Sequence, residues 1–242
     1  MALLRLDKYL AAGGERSRSE AAGALRAGLV WVDGLVERNP ARKIDPDVQA
    51  IAIAGEAVAD QRLQYYMLHK PAGVLTAARD SRAATVMSLA PEAFLRRNVL
   101  PVGRLDKDTT GLLLLTNDGE LAHRLLSPRR HVPNEYHVRV RGRLTQEDAV
   151  DFGSGIALSS FTAGPAELRI ISACPEESLG VLLLREGKFH QVKRMFAARG
   201  HAVLQLHRAA FGPLRLGADL PEGAWRALHA GEVEALRKAG GG

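Results

Sequence analysis

Between residues 103 and 111 the chain reads Gly103-Arg104-Leu105-Asp106-Lys107-Asp108-Thr109-Thr110-Gly111. Cations, carboxylates and hydroxyls stand between glycines, and Leu112-Leu113-Leu114-Leu115-Thr116 follows at once. The apolar run reads as a buried strand. Glycines at both ends let the backbone turn tightly or approach a ligand, and a loop fixed by a rigid strand is a common seat for reacting groups. A carboxylate held there serves as a nucleophile or a base; the same residues also fit a charged surface turn. A third reading gathers Asp106, Asp108, Asp118 and Glu120 as metal ligands for nucleic-acid cleavage. Against it, Asp118 and Glu120 stand where a helix start needs a cap and an acidic first turn.

A second polar cluster is Arg185-Glu186-Gly187-Lys188-Phe189-His190-Gln191-Val192-Lys193-Arg194-Met195-Phe196. Val192, Met195, Phe196 and Arg199 follow helical spacing and Gly200 ends the helix. Lys193 and Arg194 are either a solvent-facing pair or cations aimed at a site, and His190-Gln191 ahead of them favours the site. Tyr136 to Arg141 alternates with period two, with Tyr136, Val138 and Val140 on one face. Tyr65 to Val74 predicts a strand broken by Lys70-Pro71-Ala72-Gly73; Lys70 fits a plain turn or a functional role. Helices are predicted from Thr85 to Leu95, after Asp118, and from Leu144 to Phe152 with Thr145 as cap. Strands are predicted over 166–171, 179–184 and 202–206. Arg124, Arg129, Arg130 and His131 cluster as candidates for phosphate contact.

The first sixty residues form a separate unit. Leu6, Tyr9 and Leu10 sit at helical spacing, and Ser17 with Glu20 makes a capping box for a second helix. Gly28 ends that helix. Asp33-Gly34 between apolar runs predicts a hairpin, since both turn positions need positive φ. Residues 60–64 read as a linker between a domain over 1–60 and a larger one over 65–240. The 242 residues, 46% hydrophobic and 25% charged, suffice for that arrangement. A net charge of +6 and a pI near 9.8 suit a polyanionic partner. Cys174 is the single cysteine, so no internal disulfide or cysteine zinc site is expected. The chain lacks an apolar run of membrane length and a signal-peptide core, so a cytoplasmic protein is expected; a monomer is expected as well. Aromatics are scarce, at 5%, which argues against broad stacking platforms.

The Gly-Arg-Leu-Asp loop, Lys-Pro-x-Gly after an apolar strand, a tyrosine opening the strand at 136, and the Glu-Gly-Lys-Phe-His-Gln-Val-Lys-Arg-Met-Phe run together resemble pseudouridine synthases, specifically the RsuA/RluB branch acting on ribosomal RNA. The resemblance covers nearly the whole chain and implies an α+β fold: a small helix-helix-hairpin RNA-binding domain, then a larger mixed, mainly antiparallel sheet flanked by helices. It implies Asp106 as the catalytic carboxylate, Tyr136 facing the uracil, Lys193 as the paired cation and Arg104 filling the space the base vacates. One departure is Asn134, where relatives often carry lysine. The front segment resembles the alpha-L RNA-binding domain, which implies that Arg5, Lys8, Arg16, Arg18 and Arg26 meet RNA phosphates. Arg129, Arg130, His190, Gln191 and Arg194 are further RNA-contact candidates.

Such an enzyme breaks a carbon–nitrogen glycosidic bond, turns the base and joins the sugar to carbon 5. No atom enters or leaves, so neither cofactor nor metal is expected. The carboxylate must stay charged where desolvation opposes it, and a nearby ammonium favours the charged form. The implied substrate is a uridine of small-subunit 16S rRNA, within a partly assembled subunit. Large-subunit rRNA, or a non-catalytic rRNA-binding assembly role, are the alternatives.

Overall fold

A computed structural model describes residues 3–12, 16–46, 48–58, 63–127 and 132–241. Its internal contacts define two units, Met1–Gln64 with Pro91–Val99, and Tyr65–Ala90 with Leu100–Gly242. Arg129, Arg130 and His131 lie outside the described residues, as do the predicted stop at Gly13-Gly14 and most of the predicted linker.

In the first unit, β1 (Leu4–Arg5) runs into α1 (Leu6–Ala12), and α2 (Arg18–Arg26) follows. The Ser17 hydroxyl accepts the Glu20 N–H while Glu20 accepts the Ser17 N–H, the predicted reciprocal cap. At the other end Gly28, at φ 77°, and Leu29 donate back to Leu25 and Ala24, closing the helix in a Schellman motif. Hairpin β2 (Val30–Val32) and β3 (Leu35–Val36) turns through Asp33 and Gly34 at φ 53° and 80°. The strand content exceeds the predicted single hairpin. β4 (Lys43–Ile44) pairs with β1, and β5 (Ile51–Ile53) and β6 (Glu56–Ala57) extend the sheet to the order β3-β2-β5-β6. The β5–β6 turn is Ala54-Gly55 at φ 51° and 85°; alanine is a poor advertisement for positive φ, so the sequence hid it. Leu6, Leu10, Ala21, Leu25, Val30, Val32, Ile44 and Ile53 form this unit's core.

The second unit is built on one sheet. Its strands are β7 (Tyr65–Lys70), β8 (Leu100–Pro101), β9 (Thr110–Thr116), β10 (Asn134–Arg141), β13 (Glu167–Ala173), β14 (Glu177–Leu184), β15 (Val203–Phe211), β16 (Leu214–Arg215) and β17 (Trp225–Ala227), with β11 (Ile156–Ala157) and β12 (Thr162–Ala163) as a separate hairpin. The main path runs β13-β14-β10-β15-β9-β7-β17. The β15–β9 pairing is parallel and every other pairing on that path antiparallel. The predicted helix over 85–95 is broken. Pro91 forces Ala90 into extended backbone, leaving a 3-10 turn at Val86–Leu89 before α3 (Glu92–Arg96), which groups with the first unit. The helices α4 (Gly119–Leu126), α5 (Gln146–Ser154) and α6 (Gln191–Ala198) start at the expected places, Asp118 and Thr145 capping the first two. β15 runs further than predicted, and β17 and α7 (Ala230–Ala239) are additions the sequence did not announce.

β9 is buried on both faces from Gly111 to Thr116, which is why it reads as an unbroken apolar run instead of an alternation. Leu112 and Leu114 join Met67, Leu121, Leu125, Phe211 and Leu236 in the core on one side. Gly111 is required where β9 meets β15. Its φ is 112°, and a Cβ there would lie 2.3 Å from the Arg208 carbonyl oxygen. Since that neighbour is backbone, Gly111→Ala is expected to destabilise the protein by about 2–4 kcal/mol. The check is the urea midpoint at unchanged m-value.

Candidate active site

The Asp106 loop leaves β8 and enters β9, and its backbone is tied down from below. Lys70, at the end of β7, is fully buried. Its ammonium donates to the carbonyls of Pro71, Lys107 and Thr109 at 3.0, 3.2 and 2.9 Å. Thr76 adds a two-way clamp: its hydroxyl donates to Leu105 O at 2.8 Å and accepts the Leu105 N–H at 3.2 Å. The loop closes on itself through Thr109 N–H to Asp106 O at 3.1 Å. Of the two readings of Lys70, structure supports a buried strut under this loop.

Asp106 then projects beside the start of α6. Lys193 Nζ stands 3.3 Å from Asp106 Oδ2 and 2.5 Å from Asp108 Oδ1, while His190 Nε2 is 3.5 Å from Asp106 Oδ1. Burial acts to lower the Lys193 pKa, but the hydrogen bond to Asp108 and the charge of Asp106 together hold it above the ordinary lysine value. The same hydrogen bond from Lys193 holds the Asp108 carboxyl below its usual range. The ammonium is thus fixed by Asp108 and shared with Asp106.

Tyr136 is buried on β10, in register with Arg208 of β15 and Leu182 of β14. Arg208 is 3% exposed. Its Nε donates to Leu112 O at 2.8 Å, and burial lowers its pKa while the Tyr136 side chain beside it opposes that shift. Sequence reasoning gave Arg208 no role. The signal was present: Leu206, Arg208 and Ala210 share the buried face of a period-two strand.

Asp106, Tyr136 and Lys193 line one cleft with Arg104, Thr109, Leu184, Glu186 and Leu206. The cleft is narrow, 60 Å³. It adjoins a groove of 570 Å³ that shares Arg104, Leu105, Asp106, Gly187, Lys188 and His190. The other expected RNA contacts fare unevenly. Gln191 is buried, and its amide is engaged within the loop: Nε2 donates to Glu186 Oε2 at 2.6 Å and Oε1 accepts the Lys188 N–H at 2.9 Å. Arg194 turns away, over the Phe161 ring and onto the Ser160 hydroxyl at 2.9 Å. In the first unit Arg5 and Arg18 converge on buried Asp7 at 2.9 and 3.1 Å. The Arg5 hydrogen bond leads in pulling the Asp7 carboxyl down to about 2. Lys8 and Arg26 are exposed.

The four-carboxylate metal reading does not survive the geometry. Asp118 Oδ1 accepts the Leu121 N–H at 2.9 Å and Oδ2 accepts the Tyr65 hydroxyl at 2.7 Å, and Glu120 pairs with Arg124. Among the described residues no three His, Cys, Asp or Glu side chains converge as a metal site.

The cleft on this mainly antiparallel sheet is thus lined by a carboxylate–lysine pair and a buried tyrosine. Residues 64–198 match the RNA pseudouridylate synthase family and residues 4–49 the S4 domain; the chain belongs to the pseudouridylate synthase family. It is 40% identical over 236 residues to an uncharacterized RNA pseudouridine synthase, YtzG, of Bacillus subtilis, spanning 97% of this chain and 99% of that protein. To the ribosomal small subunit pseudouridine synthase A of Escherichia coli it is 37% identical, over 96% of this chain and all of the relative. A solved pseudouridylate synthase structure superimposes with a TM-score of 0.67 at 34% identity, covering 96% of this chain and 99% of the other.

Burial pushes the Lys70 ammonium down to about 8. The unfolded chain holds that proton more tightly, so burial costs stability below pH 8 and the cost is relieved as pH rises toward 10. Wild type should therefore gain stability relative to Lys70→Met between pH 8 and pH 10. Denaturant midpoints across that range, in both proteins, measure the difference; parallel curves would remove the charge from Lys70's role.

Proposed function

We propose that the protein converts a uridine of small-subunit ribosomal RNA to pseudouridine, with Asp106 as the reacting carboxylate. The observation that carries this reading is the convergence of Asp106, Lys193 and Tyr136 in one cleft from three separate parts of the chain. The near-complete overlap with the small-subunit enzyme of Escherichia coli supports the choice of rRNA.

Asp106 acts at the anomeric carbon as nucleophile, or at the sugar as base. Lys193 balances its charge, and Asp108 keeps that ammonium in place. Eversion of the uridine from the RNA stack costs a few kcal/mol; Arg104, exposed at the rim of the cleft, fills the vacated space. Tyr136 packs on the uracil as it turns, and Arg208 fixes the tyrosine from behind. The proton leaving carbon 5 balances the one taken up at the nitrogen released from the sugar. The first unit supplies affinity: Lys8 and Arg26 face solvent and meet phosphates, while Arg5 and Arg18 are shaped into one cationic edge by Asp7. The substrate is rRNA in a partly assembled small subunit, the protein acts as a monomer in the cytoplasm, and the working domains are 1–60 and 65–240.

Asp106→Asn should retain RNA binding and yield no pseudouridine. Mapping pseudouridine in rRNA from cells carrying wild type, the variant or neither protein tests this; turnover by the variant would remove Asp106 from the reaction. For the first unit, Lys8→Gln with Arg26→Gln should flatten the dependence of log K on log salt by about one to two. Binding titrations across a salt series read it, and an unchanged slope takes these cations out of the interface.

A further inference from the structure

The loop between β14 and α6 carries an aromatic side chain that neither packing nor the chemistry of the cleft uses. Phe189 is 70% exposed, and among the described residues it is the only exposed phenylalanine, tyrosine or tryptophan. Single exposed apolar residues are ordinary, but three features set this one apart. Its ring lies flat on the His190 ring, with centroids 3.9 Å apart and planes 17° apart, while most of the side chain stays open to solvent. The stack is held by a left-handed backbone at His190, φ 48°, a conformation uncommon outside glycine and concentrated at functional sites. Finally, the pair borders the 570 Å³ groove that adjoins the Asp106 cleft, within the size range of sites that hold small organic groups.

The surroundings say what the groove would accept. Arg104, Lys107 and Lys188 supply cations along it, against Asp80 and Asp106. An aromatic face beside cations in a groove is the arrangement that binds single-stranded nucleic acid, with bases stacking and phosphates meeting the charges. His190 is the hinge between the two cavities, since it stacks on Phe189 and reaches Asp106 with Nε2 at 3.5 Å. A base on the exposed Phe189 ring would extend a stack that ends beside the reacting carboxylate.

We propose that the Phe189–His190 pair is a stacking platform for an unpaired nucleobase flanking the uridine that enters the Asp106 cleft. This rests on the synthase reading of the cleft. The platform selects for substrates whose target lies in a single-stranded or opened segment, and it holds the strand while the neighbouring base everts. It is a binding element, so it acts on affinity ahead of the chemical step.

The test uses the full-length protein and a short oligouridylate carrying one 2-aminopurine. Wild type and Asp106→Asn should both quench the 2-aminopurine fluorescence, and Phe189→Trp should retain the quench. Phe189→Ala should lose it and bind the probe about 5- to 150-fold more weakly. An otherwise identical probe with an abasic residue in place of the 2-aminopurine should be bound equally by wild type and Phe189→Ala. A quench unaffected by Phe189→Ala, or an equal loss of affinity for both probes, overturns the platform. None of these readings needs turnover. Absence of pseudouridine in small-subunit rRNA treated with wild type would sink the reaction assignment alone.

Discussion

A buried ammonium beneath a loop is the constraint on which the rest of the site depends. Among the described residues Lys70 is bonded by three carbonyls of the segments it holds and by no carboxylate. Burying an uncompensated charge is costly, and here the hydrogen bonds and the field of Asp106 and Asp108 above it offset the cost. The loop therefore has little freedom to wander: moving Lys107 or Thr109 away strands the ammonium. That rigidity lets Asp106, on a connection between two strands, stand 3.3 Å from the ammonium of a lysine 87 residues later, on a helix.

The charges divide into two layers. Lys70 fixes backbone from inside, while Lys193 faces the cleft and is shared between Asp106 and Asp108. Arg208 repeats the device two strands away, a buried cation holding backbone through Leu112 and lying beside Tyr136. The two supporting cations, Lys70 and Arg208, are thus more deeply buried than Lys193, the cation that lines the cleft.

Much of this was legible in the sequence because the signals were local. The capping box at Ser17, the cap at Thr145, the Asp33-Gly34 turn and the apolar run of β9 each state their geometry within a few residues. The Asp106, Tyr136 and Lys193 set was legible through family motifs, since no local rule brings positions so far apart together. What stayed hidden depends on neighbours. The Ala54-Gly55 turn lacks the residue types that announce positive φ. β17 and α7 carry weak patterns, and the β17 strand is defined by its pairing with β7. Gln191 and Arg194 look like surface contacts in a polar run, yet the Glu186 carboxylate claims one and the Phe161 ring the other. Low aromatic content argued against a broad stacking surface, and a single well-placed ring escapes any argument from composition.

The parallel seam between β9 and β15 has a consequence for synthesis. β9 and β10 do not pair with each other; β15 lies between them. During translation both flanking strands emerge long before the strand that joins them, and the edge partner of β7 comes later still. A nascent chain halted before residue 203 holds Asp106, Tyr136 and α6, yet lacks the middle of its sheet. Long-range pairing of this kind closes late and slowly. The sheet that carries the cleft therefore cannot close until β15 has cleared the ribosome.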